Sequence, residues 1–275
     1  MSRYAAMFDR CAQRGEGAFG AYLMLGDPDP TPSAAYLDAL VEGGADMLEL
    51  GIPFSDPVAD GPVIQAAAVR ALAAGVRTAD CLRMIADFRA RHPDVPVGIL
   101  TYANIVAAQG IGRFAAELAE AGADSLLVAD VPTLEAQPYA DAARAAGIDL
   151  VMIAAPNTPP PALARIASLS SGYTYCGARS GVTGADRGPT LHHSPLFGAL
   201  AEAGAPPPIL GFGISTPEQV RQGIAAGAAG VVCGSALVRL VAAGASPSSL
   251  SSFVSELKAA TRGCTQNLAF AAEKG

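Results

Sequence analysis

The sequence predicts an α/β protein of the (β/α)8 class, a TIM barrel, on three observations. Short apolar runs alternate with stretches of helical spacing, eight such runs can be counted, and 275 residues is an ordinary length for one barrel. Consecutive strands joined by helices pair in parallel, because a parallel partner needs a long crossover. The prediction is a single domain over residues 1–275. An open, doubly wound sheet is the alternative architecture.

The chain opens with a predicted helix over about residues 2–14, which is additional to the minimal barrel. Tyr4, Met7, Phe8 and Cys11 follow helical spacing in this segment. An amphipathic helix of this kind is expected to cover part of a core. We therefore expect it to lie across the bottom of the barrel.

The apolar runs that follow predict the strands of the barrel. They lie near residues 19–25, 46–50, 96–101, 124–129, 149–154, 172–176, 208–212 and 230–233. The stretches between them place apolar residues at i, i+3 and i+4 and are bounded by Gly and Pro, which indicates crossover helices. A segment at 61–75 and a tail from about residue 247 are extra. The polar, glycine-rich stretch 177–190 exceeds the usual turn of about 2–6 residues and predicts a flexible lid loop after the sixth strand.

Composition excludes several classes of function. The net charge of -7 is spread over many short segments, without the clustered Lys and Arg residues that neutralise nucleic-acid phosphates. No apolar run approaches the roughly 20 residues that cross a bilayer, and the first residues lack a signal peptide's hydrophobic region. The five cysteines are scattered without metal-ligand spacing. We expect a cytoplasmic protein with reduced cysteines and no metal, nucleic-acid or membrane partner.

Carboxylates follow the second predicted strand, where barrel enzymes place reacting groups. Glu49 lies at the strand end, and Asp56 and Asp60 lie in the loop PFSDPVADGP. Taken singly, Glu49 is equally compatible with a role in an outward-facing ion pair, and each aspartate is compatible with a role as a helix cap. Three carboxylates after one strand favour an acid–base site. In such a site a buried glutamate with a raised pKa acts beside a more solvated aspartate.

The last two strands carry a different signal. ILGFGIST and VVCGSALV each end a strand and open a helix, so Gly211, Gly213, Gly234 and Ser235 lie where backbone N–H groups meet helix N-termini. Barrels frequently bind phosphate at this place. Ordinary glycine turns are the alternative interpretation. GVTG at 181–184 is a candidate for a third backbone contact with the same phosphate.

These motifs resemble those of the tryptophan synthase α-subunit family, in family order over nearly the whole chain. The strings are LGDP at 25–28, ELGIPFSDPVADGPVIQ at 49–65, TYAN at 101–104, LLVADVP at 126–132, GYTY at 172–175, GVTGA at 181–185, GFGIS at 211–215 and GSALV at 234–238. The motif at 49–65 is highly specific, whereas other phosphate-binding barrels carry turns similar to GFGIS and GSA. One departure is Cys176, Gly177 and Ala178, where family members more often carry an apolar residue and a serine.

The resemblance implies a role for each matching residue. Glu49 would be the catalytic acid and base, Asp60 would contact the indole nitrogen, and Thr183 would close the lid over the substrate through Asp56. The implied substrate-binding residues are Tyr22, Leu100, Leu127, Ala129, Tyr175 and Phe212 around the indole ring, Thr183 at the lid, and Gly184, Gly213, Gly234 and Ser235 around the phosphate.

The implied reaction is the retro-aldol cleavage of indole-3-glycerol phosphate to indole and D-glyceraldehyde 3-phosphate in L-tryptophan biosynthesis. It needs no cofactor in this chain, since pyridoxal phosphate belongs to the family's β subunit, which receives indole within an αββα assembly. The family's β-facing surface corresponds to 53–60, 102–104, Pro132 and Asn157. Two alternatives stay open: a stand-alone lyase that releases free indole, and a non-catalytic phosphate-binding activator. Fast turnover without a partner would indicate the first, and the retained carboxylates argue against the second.

Overall fold

The computed structural model describes residues 1–177, 193–211 and 213–263. All of the predicted lid loop after Gly177 lies outside these ranges, as do Thr183, Gly184 and Phe212. Within them, parallel strands form one sheet. The strands are β1 (Ala18–Met24), β2 (Met47–Gly51), β3 (Val97–Thr101), β4 (Ser125–Val128), β5 (Asp149–Leu150), β6 (Ile153–Ala154), β7 (Thr174–Gly177), β8 (Pro208–Gly211) and β9 (Gly230–Cys233).

The sheet closes at an interrupted fifth strand. Its strand order is β5-β4-β3-β2-β1-β9-β8-β7-β6, so the two halves of the predicted strand 149–154 stand at opposite ends of the order. The Val151 N–H donates to the carbonyl of Leu126 at 2.9 Å, and the Tyr175 N–H donates to the carbonyl of Met152 at 3.0 Å. The first half thus bonds to β4 and the second to β7. This confirms the eight-stranded barrel, with a break in the fifth strand that the sequence did not predict.

Helices cover the outside of the barrel, and no described helix combines the length and apolar character needed to span a membrane. Asp29, Thr216 and Ser246 cap three of them by accepting backbone N–H groups, and prolines occupy many first turns. The helices are α1 (Arg3–Gln13), α2 (Pro30–Glu42), α3 (Pro62–Ala73), α4 (Thr78–Arg91), α5 (Ala103–Gln109), α6 (Ile111–Ala121), α7 (Gln137–Ala146), α8 (Pro160–Leu169), α9 (Ser194–Glu202), α10 (Pro217–Ala225), α11 (Ser235–Ala242) and α12 (Pro247–Ala259).

The first helix closes the N-terminal end of the barrel, as its apolar spacing predicts. Tyr4, Met7 and Cys11 are buried on one face of α1. The Tyr4 hydroxyl lies 2.8 Å from Oγ of Ser125, the first residue of β4, and its ring centroid lies 5.2 Å from that of Tyr173. The mouth formed by the strand C-termini is therefore left to the functional site.

A buried ionic cluster ties the last described helix to the same end of the barrel. Nζ of Lys258 lies 2.7 Å from Oδ2 of Asp46 and 2.9 Å from Oε2 of Glu16, and Arg262 also pairs with Glu16 at 2.8 Å. Each buried charge has an opposite partner, without which burial would be costly. The cluster joins α12 to the segments that lead into β1 and β2.

Candidate active site

A pocket opens at the C-terminal ends of the strands. Eight residues predicted from the sequence line it, and Ile64 and Val232 are additional to the prediction. The lining residues are Tyr22, Glu49, Asp60, Ile64, Leu100, Tyr175, Gly213, Val232, Gly234 and Ser235. Two carboxylic acids thus share one pocket with the N-terminus of α11.

Glu49 is held inside the barrel with its carboxylate in the pocket. It lies on β2, is 2% exposed, and stands opposite Tyr22 in the parallel ladder between β1 and β2. The Tyr173 hydroxyl donates to its Oε1 at 2.9 Å. Burial raises the pKa of Glu49 to about 7, against a lowering by the Tyr173 hydrogen bond and with a further rise from the charge of Asp60. Near neutral pH this group can both donate and accept a proton.

Asp60 is buried in the loop between β2 and α3. Gly61 occupies the N-cap position of α3, so Asp60 is not the cap of that helix. The Gln65 side chain donates to the Asp60 carbonyl at 2.7 Å and holds the backbone. Burial raises the pKa of Asp60 to about 6, and an interaction with the Tyr102 hydroxyl lowers it. Asp60 is therefore the more acidic of the two carboxyl groups and is mostly ionised at neutral pH.

Two tyrosine side chains reach over the ends of neighbouring strands where glycine leaves room. A Cβ atom on Gly51 would overlap the hydroxyl of Tyr22, and one on Gly211 would overlap the hydroxyl of Tyr175. Neither glycine has a positive φ, so the requirement is for space rather than for backbone freedom. The absence of a side chain at these two strand ends thus shapes the pocket.

The part of the pocket lined by Gly213, Gly234 and Ser235 has the features expected of a phosphate site. Ser235 begins α11, Gly234 is its N-cap, and no side chain caps the helix. The free N–H groups of a first helical turn and the helix dipole favour an anion. Gly213 adds a backbone turn with a φ of +87°, which glycine adopts without strain.

Other predicted positions lie elsewhere. Leu127 is buried on β4 and Ala129 is half-buried after it, and neither lines the pocket among the described residues. Asp56 is exposed and accepts a hydrogen bond from Ser55. The lid coupling between Asp56 and Thr183 stays a prediction, because Thr183 lies outside the described residues.

Tyr173 and Tyr102 were not predicted as site residues, although GYTY and TYAN contain them. Tyr173 stands two residues before Tyr175, so strand alternation directs both side chains to the barrel interior. This spacing was the available signal. Tyr102 stacks on Phe54 with ring centroids 5.3 Å apart, which joins the segment after β3 to the loop that carries Asp60.

The described residues contain no group of three or more His, Cys, Asp or Glu side chains arranged to hold a metal ion. Cys176 and Cys233 are buried near strand ends, and burial raises the pKa of both thiols, that of Cys233 to about 12. They are protonated at neutral pH. The carboxyl groups of Glu49 and Asp60 are thus the groups in this pocket whose pKa values lie near neutral pH.

Known proteins of one family are similar to this chain over nearly its whole length. The family model for the tryptophan synthase alpha chain matches residues 8–268. The tryptophan synthase alpha chain of Shewanella amazonensis is 50% identical over 266 residues, 95% of this chain and 100% of the relative, and that of Klebsiella aerogenes is 49% identical over 267 residues, 95% and 99%.

Solved structures give the same result for the fold. A structure of Mycobacterium tuberculosis tryptophan synthase superposes with a TM-score of 0.87 at 35% identity and covers 95% of this chain and 99% of that one. Tryptophan synthase subunit alpha from Legionella pneumophila gives 0.84 at 33% identity, with coverage of 95% and 98%. The chain belongs to the tryptophan synthase alpha chain family.

Proposed function

We propose that this chain cleaves indole-3-glycerol phosphate to indole and D-glyceraldehyde 3-phosphate, as a step of L-tryptophan biosynthesis. The observation that carries the proposal is the placement of Glu49, a buried carboxyl group with a pKa of about 7, in one pocket with Asp60. A general acid–base group works best when its pKa lies near the operating pH. Membership of the family supports the choice of substrate.

The two carboxyl groups have different roles in the reaction. Protonated Glu49 delivers its proton to C3 of the indole ring, which leaves a positive charge on the ring nitrogen. Ionised Asp60 stabilises that charge. The Glu49 carboxylate then accepts the proton of the hydroxyl on the adjoining glycerol carbon. As a result, the electrons of the carbon–carbon bond return to the ring, the aldehyde forms, and Glu49 is protonated again.

The phosphate would bind at Gly213, Gly234 and Ser235, which line the same pocket as the carboxyl groups. Backbone N–H groups at the start of α11 suit a dianion without a bound metal. Gly184 would add a contact, and Thr183 would close the lid by pairing with Asp56. Holding the phosphate at one end places the reacting carbon atoms at the other, which is the positioning part of catalysis.

The proposed partner is a tryptophan synthase β subunit in an αββα assembly, which would carry pyridoxal phosphate and take up the indole. This chain would need no cofactor of its own and would act in the cytoplasm as one domain over residues 1–275. The stacked pair Phe54 and Tyr102 supports this proposal, because it connects the two segments that correspond to the family's β-facing surface. Binding of a partner there could therefore affect the Asp60 loop directly.

The test is the steady-state rate of indole release from indole-3-glycerol phosphate, measured with and without a purified β subunit. Strong acceleration by the β subunit is expected, together with loss of turnover in the Glu49→Gln variant as a control for the site. Fast turnover of the isolated chain would instead support the stand-alone lyase. Absence of turnover under both conditions would overturn the proposed reaction.

A further inference from the structure

The hydroxyl of Tyr22 is a buried polar group with no hydrogen-bond partner in the described part of the chain. The side chain is 5% exposed and lines the candidate active-site pocket. An unsatisfied buried hydroxyl destabilises a folded protein, because its hydrogen bonds to water are lost and not replaced. Thr101, Tyr102, Ser170 and His193 also carry a buried side-chain atom without a partner, but of these five residues Tyr22 is the one that lines the pocket. There a bound ligand can supply the missing partner.

The ring of Tyr22 runs along the wall between the two ends of the pocket. A Cβ placed on Gly234, at the start of α11, would lie 3.4 Å from the Cβ of Tyr22. The hydroxyl at the far end lies over Gly51, two residues beyond Glu49. Tyr22 and Glu49 are also partners in the ladder between β1 and β2. The unpaired hydroxyl therefore stands on the side of the carboxyl groups.

The surrounding charges make this hydroxyl a hydrogen-bond donor. Burial raises the pKa of Tyr22 well above its usual value, and the negative charges of Asp60 and Glu49 raise it further. The proton consequently stays on the oxygen near neutral pH. The matching ligand atom is an oxygen that accepts a hydrogen bond beside Glu49.

We propose that the Tyr22 hydroxyl binds the substrate by donating a hydrogen bond to one oxygen, the one on the glycerol carbon attached to the indole ring. This inference rests on the proposed function. The phosphate is assigned to the start of α11 and the ring N–H to Asp60, which leaves the two hydroxyl groups of the glycerol chain, of which the one on the ring-bearing carbon reacts with Glu49. This oxygen must lie beside Glu49, because Glu49 takes its proton. It can accept from Tyr22 both as a hydroxyl and as the aldehyde that forms.

The test compares two ligands in the Tyr22→Phe variant. Indole-3-glycerol phosphate carries the hydroxyl groups of the chain, and indole-3-propanol phosphate has the same ring and phosphate without them. We expect kcat/KM for the first to fall about tenfold, which corresponds to about 1.4 kcal/mol. The Kd of the second, from calorimetry, should change by less than about twofold. The thermal midpoint should stay equal or rise, since an unpaired hydroxyl is removed.

Tyr36→Phe is the matched control, because it removes a tyrosine hydroxyl that bonds the carbonyl of Ala245 on the outside of the barrel. It should leave both ligand measurements unchanged. Equal losses for the two ligands in Tyr22→Phe, or an unchanged kcat/KM, would overturn the inference. Failure of the unmodified chain to cleave indole-3-glycerol phosphate would show instead that the proposed function itself is wrong, and the inference would fall with it.

Discussion

The hydroxyl of Tyr173 donates a hydrogen bond of 2.9 Å to Oε1 of Glu49, which lies 124 residues earlier in the chain. The Tyr173 ring in turn packs against Tyr4 of the first helix. The bond orients the carboxylate and favours its ionised form, whereas burial favours the neutral form. The pKa near 7 is the balance of these two effects and of the charge of Asp60, which raises it further.

The Tyr173→Phe variant should shift the pH dependence of catalysis. Loss of the hydrogen bond removes the effect that lowers the pKa of Glu49, so this pKa should rise above 7. Since Glu49 must be protonated to act as the acid, the alkaline limb of kcat/KM should move to higher pH. Rates measured from pH 5 to 9 test this, with Tyr139→Phe on α7 as the control. An alkaline limb at the same pH in Tyr173→Phe would contradict the assigned role.

The free energy of unfolding of the Glu49→Gln variant should fall less than that of the parent as the pH rises. The folded-state pKa of Glu49 is raised to about 7 from an ordinary value of 4.5. The neutral group therefore contributes stability that is complete below pH 4.5 and is lost as the pH rises through 7. Glutamine does not titrate, so the variant should gain on the order of 2–3 kcal/mol relative to the parent between pH 4.5 and 8.

Urea unfolding of both proteins at several pH values measures this difference. Titrating groups that do not interact with Glu49 contribute equally to parent and variant and cancel in the comparison, whereas the titration of Asp60 also changes when the charge of Glu49 is removed. The exposed Glu135→Gln change serves as a control for the substitution itself. A constant difference in unfolding free energy across this pH range would show that the pKa of Glu49 is not raised in the folded protein.

The Asp60→Asn variant tests the charge beside the substrate ring. Asparagine keeps the size of the side chain but cannot stabilise a positive ring nitrogen by charge. Loss of one preorganised electrostatic contact typically lowers kcat by about 10²–10³. Binding of the phosphate, measured with glyceraldehyde 3-phosphate as a ligand, should persist because Gly234 and Ser235 are unchanged. Turnover at the parental rate would leave Asp60 without a catalytic role.

The contact between Tyr22 and Gly51 predicts a compensating pair of substitutions. Gly51→Ala alone should lower the free energy of unfolding by about 1–3 kcal/mol, because the added methyl group overlaps the Tyr22 hydroxyl. Adding Tyr22→Phe should restore part of this loss. Gly112→Ala on α6, where an added Cβ meets nothing within 4 Å, is the control and should not destabilise. Strictly additive effects in the double variant would exclude the contact.

The parts of the fold and site that could be predicted from the sequence depend on local patterns. Strand alternation and crossover spacing predict the barrel, and position at a strand end predicts Glu49 and the loop with Asp60. The glycine turns before α11 follow from the same rule. Each of these features depends on a few neighbouring residues, so it can be predicted from the sequence.

The remaining features depend on contacts across the barrel. The hydrogen bond from Tyr173 to Glu49 and the proximity of Tyr102 to Asp60 arise from the tilt and curvature of the closed sheet, which no local spacing records. The break in the fifth strand at Val151 and Met152 has a similar origin, because the strand bonds to different neighbours in its two halves. Its apolar run predicts the strand but not the change of partner.

The strand order also affects how the barrel folds during synthesis of the chain. β1 lies between β2 and β9, so one edge of the first strand has no partner until residues 230–233 have been synthesised. At roughly 5–20 residues per second, the roughly 200 intervening residues take about 10–40 seconds. During that time the exposed edge can pair with another nascent chain. Completion of the barrel therefore waits for the synthesis of residues 230–233, and until then the free edge of β1 is a place where aggregation can begin.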